Sequence, residues 1–145
     1  KYLPRRIQYL GNLLSWELEK YYEQSSIYLA LSTYETYGTE LIKAAYSNCA
    51  IVANNIPYYK ELWKDCACIF EKNNINSLIR NINNLVENNL LLKQIAKNCQ
   101  TKALSSFNAK RMAYEYINIY KNILQMNIVN KNNLLQPEKY LQIKQ

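Results

Sequence analysis

The chain has 145 residues, of which 49% are hydrophobic, and it carries a net charge of +7 without any histidine. This length and apolar content predict one globular domain with a core of its own, and they exclude a disordered protein. No apolar run reaches the roughly 20 residues that a transmembrane helix needs, and the first residues lack the apolar segment of a signal peptide.

The missing histidine and the spacing of the four cysteines narrow the chemistry further. Without histidine the chain cannot form a Ser-His or Cys-His nucleophile pair, and a zinc site would need all four cysteines in one place. No two cysteines form a C-x-x-C pair, so we expect buried, reduced thiols in a cytoplasmic protein. We expect neither a metal site nor a cofactor.

The basic charge has two interpretations. It favours anionic partners such as a nucleotide diphosphate, an acidic membrane surface or nucleic acid. The lysines are scattered, however, and a solvated basic surface is therefore favoured over a dedicated patch. The 14 tyrosines fall mostly on the core stripes of predicted helices, and the chain has no RNA-binding motif, so we predict no nucleic-acid partner.

The chain alternates between predicted strands and predicted helices. Apolar or alternating runs predict strands at residues 6–11, 27–32, 50–53 and 66–70. Apolar residues at spacings of three and four predict longer helices at about residues 15–24, 36–48, 75–86, 90–104 and 108–123, and a short helix starts at Pro57. This alternation predicts an α/β fold with a parallel sheet.

Residues suited to helix ends mark several of these boundaries. Ser15 and Asn108 can cap a helix N-terminus with their side chains. Asn48 suits the left-handed conformation that often ends a helix. Beyond Gln125 the chain becomes polar and rich in asparagine, which predicts a C-terminal tail.

The turn after the strand at 27–32 holds the strongest candidate site. Its sequence is Ser32-Thr33-Tyr34-Glu35-Thr36-Tyr37-Gly38-Thr39. Backbone N–H groups at the start of the following helix face the carboxyl end of the strand, and Gly38 lets a ligand approach the backbone. Ionised Glu35 can only accept hydrogen bonds. The turn therefore predicts a ligand that carries both hydroxyls and phosphate.

Glu35 also has a purely structural interpretation. An acid just ahead of a helix N-terminus is stabilised there by the helix dipole, without any ligand. Ser32 and Thr33 likewise suit turn and cap roles. On the residues alone, the structural role of Glu35 is slightly favoured.

Three motifs carry a family resemblance. The turn Ser32-x-x-Glu35-x-x-Gly38, the helix segment Lys43-Ala44-Ala45-Tyr46 and the strand Ile51-Val52-Ala53 follow one another in order. They resemble the Pro-Ser-x-x-Glu-x-x-Gly, Glu-Ala-Met-Ala and Val-Val-Ala segments of GT-B glycosyltransferases, the retaining family 4 in particular. The resemblance extends from about residue 6 to about residue 123. It implies the C-terminal part of a Rossmann-like donor domain, closed by C-terminal helices.

The resemblance also implies an organisation and a function. Residues 1–127 correspond to a nucleotide-sugar donor domain without its first two strands, and residues 128–145 to a polar tail. The enzyme would transfer a sugar from a nucleotide-sugar donor to a glycan or glycolipid acceptor in polysaccharide biosynthesis, with retention and without metal. Because the glycine turn and the Arg…Lys pair that hold the diphosphate are absent, we expect a piece of a longer polypeptide. A partner chain could also complete it.

By the same resemblance, the isolated chain is expected to be inactive, and peripheral contact with a membrane fits a glycolipid acceptor. The resemblance assigns Glu35 to the catalytic site, in contact with the hydroxyls of the donor sugar. The implied donor-binding residues are Ser32, Thr36, Tyr37, Gly38, Thr39 and Lys43.

Lys43 departs from the family pattern. The family has a second acid at this position, which accepts hydrogen bonds from both ribose hydroxyls of the nucleotide. An ammonium group only donates, so Lys43 could contact a phosphate or pair with Glu40 one turn earlier. A non-catalytic, degenerate Rossmann-like binding or scaffold module is therefore the alternative to an enzyme.

Overall fold

A parallel sheet flanked by helices forms the part of the chain that the computed structural model describes, residues 6–134. The strands, in spatial order, are β1 (Ile27–Ala30), β2 (Ala50–Asn54) and β3 (Cys68–Phe70). The helices are α1 (Ser15–Gln24), α2 (Thr39–Tyr46), α3 (Pro57–Trp63), α4 (Ile75–Glu87), α5 (Asn89–Ser106) and α6 (Ala109–Leu134). This architecture confirms the predicted α/β class and parallel sheet.

The central strand β2 is buried along its whole length. It pairs with β1 from Ala50 to Ala53 and with β3 from Val52 to Asn54, in parallel on both edges. All five of its residues are buried, and a strand that is buried on both faces has a continuous apolar run, which is what the sequence of β2 shows. Its last residue, Asn54, is the exception and ends the strand with a polar side chain.

Helices α4 and α5 cover β2 and β3. The buried core between them consists of Ala50, Val52, Phe70, Leu85 and Ala96. Helix α5 also packs on α2, where Gln100 Nε2 donates to the backbone oxygen of Tyr46 over 3.1 Å. This bond satisfies one of the carbonyl groups that the end of α2 leaves without a helical partner.

Three predicted helix boundaries are confirmed. Asn48 has a φ of +63° just beyond α2, the left-handed conformation that the sequence predicted for it. Asn108 Oδ1 accepts a hydrogen bond of 2.8 Å from the backbone N–H of Arg111 and so caps α6. Pro57 opens α3 as predicted.

The predicted strand at residues 6–11 does not form. Ile7 and Tyr9 in this segment are 56% and 81% exposed. A strand needs a neighbour for its backbone hydrogen bonds, and in the described residues β1 pairs only with β2. No strand of the described residues lies beside residues 6–11, so the backbone of this segment has no strand to pair with.

The predicted strand at residues 66–70 is shortened to Cys68–Phe70. The backbone N–H groups of Cys66 and Ala67 donate to the oxygen of Trp63 over 3.0 and 2.8 Å. These bonds close a turn directly after α3 and delay the strand by two residues. Three of the four cysteines, Cys49, Cys66 and Cys99, are buried as expected, and Cys68 is partly buried.

The first two helices also start differently from the prediction. Ser15 is the first helical residue of α1 and not its cap. Leu14 occupies the cap position, and Glu17 Oε2 accepts its backbone N–H over 2.8 Å. Helix α2 starts at Thr39 and not at Thr36, since the left-handed Gly38 precedes it.

Residues 107–145 form a second unit, whose described element is α6. This helix continues past the predicted tail boundary at residue 127 to Leu134, and residues 135–145 lie outside the described residues. Its apolar stripe, predicted to be core, is exposed, with Tyr116 and Tyr120 at 53% and 60%. Core packing therefore does not account for these tyrosines. No helix within residues 6–134 is long and apolar enough to cross a bilayer.

The two tryptophans differ in burial, and this difference provides a test of the core. Trp63 is fully buried, whereas Trp16 is 56% exposed. We expect Trp63→Ala to lower the free energy of unfolding by about 3–5 kcal/mol because it leaves a cavity, and Trp16→Ala to change it by less than about 0.5 kcal/mol. Urea denaturation of both variants measures the difference. Equal losses would contradict the described core.

Candidate functional site

The loop between β1 and α2, residues 31–38, brings most of the predicted site residues together at the carboxyl end of the sheet. Glu35 is half-buried in this loop, and Gly38 is buried at its end. Ser32, Thr36 and Tyr37 are exposed in the same loop, and Thr39 is the exposed first residue of α2. The carboxyl end of a parallel sheet is where this class of fold binds ligands.

The carboxylate of Glu35 closes the loop on itself. Its Oε1 accepts the backbone N–H of Thr36 over 3.0 Å, and its Oε2 accepts the hydroxyl of Tyr59 over 3.4 Å. The backbone N–H of Gly38 contributes most to holding the pKa of Glu35 below its ordinary value. The N–H groups of Thr36 and Tyr37 and the Tyr59 hydroxyl add to this effect, and burial opposes it.

These bonds occupy part of the carboxylate's acceptor capacity. A carboxylate offers about four acceptor positions, and at Glu35 the backbone N–H of Thr36 and the hydroxyl of Tyr59 take two of them. At 3.4 Å, the bond from Tyr59 is too long to be strong. A ligand hydroxyl can therefore replace Tyr59 more easily than it can replace the backbone groups.

Gly38 is required by two independent constraints. Its φ of +65° lies in the left-handed region, where a Cβ atom is unfavourable. A Cβ at this position would also lie 2.9 Å from Cε1 and 3.1 Å from the hydroxyl oxygen of Tyr58. That hydroxyl donates to the backbone oxygen of Tyr37, so Tyr58 is held against the loop.

Helix α3 brings two tyrosines to this loop that the sequence interpretation missed. Burial, followed by the charge of Glu35, raises the pKa of Tyr58 to about 12. Burial also raises the pKa of Tyr59. Both phenols therefore stay protonated at neutral pH and can donate hydrogen bonds. Pro57, which starts a helix directly after the buried strand, was the signal that could have located them.

Asn54 was missed as well. It ends β2, and its Nδ2 donates to the backbone oxygen of Ser32 over 3.2 Å. The signal was a polar residue directly after a fully apolar strand. Because the carboxyl ends of neighbouring parallel strands lie at one edge of the sheet, such a residue lies beside the loop that follows the adjacent strand, here β1.

Lys43 is held by a neighbouring acid. Its Nζ lies 3.5 Å from Glu40 Oε1, the pairing that the sequence predicted as one of two options. The other oxygen of Glu40 accepts the hydroxyl of Tyr22 in α1 over 2.5 Å. Burial and then Glu40 raise the pKa of Tyr22. Lys43 is thus part of a small polar cluster between α1 and α2.

A cavity of about 410 Å³ does not coincide with the loop, because among the described residues it is lined by side chains of α1, including Trp16 and Lys20. The Nζ of Lys20 lies 4.9 Å from the Trp16 ring centre. Within residues 6–134, no three acidic or cysteine side chains lie close enough together to hold a metal ion. The loop at residues 31–38 therefore remains the candidate site.

Gly38 can be compared with Gly11, which has a similar φ of +68° but no atom within 4 Å of an added Cβ. We expect Gly11→Ala to lower the free energy of unfolding by about 1–2 kcal/mol, from the left-handed backbone alone. Gly38→Ala adds the overlap with Tyr58, for a total of about 2–5 kcal/mol. Urea denaturation compares the two. Equal losses would show that Tyr58 moves aside freely.

Comparison with known proteins agrees with this geometry. The family model described as Glycosyl transferases group 1 matches residues 2–102. The solved structure of sucrose-phosphate synthase from Thermosynechococcus elongatus matches with a TM-score of 0.71 and 17% identity, covering 83% of this chain and 31% of that one. Comparison with curated protein sequences gave no match. The chain belongs to the glycosyl transferases group 1 family and has the fold of the C-terminal, donor-side part of a GT-B glycosyltransferase.

Proposed function

We propose that this chain is the donor-binding part of a glycosyltransferase that takes a sugar from a nucleotide-sugar donor. The acceptor is a glycan or glycolipid, as in polysaccharide biosynthesis, and the reaction retains the configuration of the anomeric carbon without a metal ion. The observation that carries the proposal is Glu35, held ionised at the carboxyl end of β1 in a turn that has the spacing of the family motif.

In this proposal Glu35 binds the donor sugar. One sugar hydroxyl takes the position of the Tyr59 hydroxyl, whose bond of 3.4 Å is the longest of those measured at this carboxylate. A charged acceptor strengthens such a bond and fixes the sugar ring in one orientation. Thr39, at the first position of α2, directs its backbone N–H toward the phosphate side of the donor. Ser32, Thr36, Tyr37 and Gly38 shape the surface around it.

The rest of the active site is proposed to come from outside this chain. The chain spans 31% of the matched sucrose-phosphate synthase, so most of a comparable enzyme lies elsewhere. In the described residues the second edge of β1 carries no strand, and Leu29 on that strand is 39% exposed. We propose that preceding polypeptide, or a partner chain, pairs there and supplies the acceptor domain and the cations for the diphosphate.

It follows that the isolated chain does not transfer sugar. We place the complete enzyme in the cytoplasm, in peripheral contact with a membrane if its acceptor is a glycolipid. The net charge of +7 suits both an anionic donor and an acidic membrane surface.

Two observations favour a second candidate, a non-catalytic binding or scaffold module. The position of the family's ribose-binding acid is occupied by Lys43, which is already paired with Glu40. Both oxygens of the Glu35 carboxylate already have a protein partner. In such a module Glu35 would only close the loop ahead of α2.

Replacing Glu35 by glutamine separates the two candidates. Glu35→Gln keeps the size and one acceptor oxygen but loses the charge, so binding of a donor sugar should weaken by about five- to tenfold. Isothermal calorimetry of the 145-residue chain with a panel of uridine, guanosine and adenosine diphosphate hexoses measures the change. Glu87→Gln, at the exposed C-terminal end of α4, is the matched control and should bind as the parent does.

On the module hypothesis, Glu35→Gln costs about 0.3–1 kcal/mol of stability, through the lost interaction with the helix dipole, and changes nothing else. A lower melting temperature together with unchanged binding would therefore assign Glu35 a structural role and contradict its proposed contact with the donor.

Lys43→Glu tests the ribose side of the proposed site. A carboxylate at this position can accept both ribose hydroxyls, so we expect tighter binding of a nucleoside diphosphate than in the parent. The variant should also melt lower, because two like charges then lie one turn apart on α2. Lys43→Gln removes the charge without providing a carboxylate and is the matched control. If Lys43→Glu binds no better than Lys43→Gln, the ribose does not lie at this position.

A further inference from the structure

The amide of Asn54 stands out among the polar groups of the core. Asn54 is 4% exposed and ends a strand whose four preceding residues are fully buried. Its Nδ2 donates to the backbone oxygen of Ser32 over 3.2 Å, a contact between residues 22 positions apart. Its Oδ1 is buried and has no hydrogen-bond partner among the described residues.

A buried oxygen without a partner destabilises a fold, and an apolar side chain of the same shape would avoid that penalty. The opposite orientation of the amide would not help, because it would direct Oδ1 at the Ser32 carbonyl oxygen. The favourable contribution of the Asn54 side chain must therefore lie in its single bond to Ser32. That bond reaches the start of the loop that carries Glu35.

We infer that Asn54 is a positioning residue of the candidate site, whose amide anchors the first residues of the loop at 31–38 to the central strand. Ser32 lies three residues before Glu35, and its backbone oxygen is the point of attachment. At the other end of the loop, Tyr58 donates to the backbone oxygen of Tyr37. The two anchors hold both ends of the loop against rigid elements and keep Glu35 in place between them.

As a statement about donor binding, this inference rests on the proposed function. The anchoring itself does not, and it can be measured on the chain without ligand. Removing the amide frees the Ser32 carbonyl, and since Ser32 is exposed, water can replace the lost donor. The same change removes the buried oxygen that has no partner. Anchoring and stability should therefore respond in opposite directions.

The test is Asn54→Leu, which keeps the shape of the side chain, with Asn54→Val as a second variant that suits a buried strand. We expect a melting temperature at or above that of the parent. We also expect amide hydrogen exchange at residues 33–38 to be about two- to tenfold faster, the factor that the loss of one hydrogen bond gives. The pKa of Glu35, followed by NMR of its carboxyl carbon, should rise toward the ordinary value of about 4.3.

Ser77→Ala is the matched control. Ser77 is, with Asn54, the other buried polar residue for which the structure describes burial, and its Oγ accepts the backbone N–H of Glu71 over 3.2 Å. This variant should melt lower and leave both the exchange at residues 33–38 and the pKa of Glu35 unchanged. The inference is overturned if both Asn54 variants melt well below the parent or fail to fold, since the amide would then be structural. It is also overturned if exchange and pKa stay at parental values.

Discussion

The carboxylate of Glu35 folds back on the loop that leads from β1 to α2. It accepts the backbone N–H of Thr36 and the hydroxyl of Tyr59, and the nearby N–H of Gly38 contributes most to holding its pKa below the ordinary value. Gly38 allows the backbone to turn into α2 because glycine adopts its positive φ without steric strain. In the proposed function the same carboxylate binds the donor sugar, so that loop closure and donor binding would depend on one side chain.

The buried strand β2 contacts that loop at its carboxyl end. It lies at the centre of the sheet, and its last residue contacts the loop through Asn54. The helix that follows β2 adds Tyr58 and Tyr59 from the same edge. A rigid strand, a short helix and a loop thus meet at the site that we propose for the donor. Sites that are supported by regular elements hold their geometry better than sites formed by loops alone.

Several of the predictions that held concern single helix ends. Asn48, Pro57 and Asn108 act through their own backbone conformation or through groups three residues away, so their roles could be inferred from the sequence. The strand at residues 6–11 failed because a strand forms only beside a neighbour, and nothing within the segment reveals whether that neighbour is present.

In the candidate site, too, features formed by neighbouring residues were predicted and contacts between distant residues were not. The turn from Ser32 to Gly38 was recognisable, because acid, glycine and helix start follow one another along the chain. Asn54 and Tyr59 were not, because their contacts cross 22 and 24 positions of sequence and depend on how β1 and β2 are aligned. The polar tail could not be delimited, since an asparagine-rich sequence without a helix stop signal continues α6 to Leu134.

We propose that the loop at residues 31–38 binds a nucleotide-sugar donor. The most direct measurement is an NMR titration of the isotope-labelled chain with nucleoside diphosphate hexoses. If the donor binds at this loop, we expect saturable shifts of the backbone amides of residues 36–39 and of the side-chain amide of Asn54, and no shifts along α6. Shifts confined to other parts of the chain, or no shifts with any donor of the panel, would contradict it.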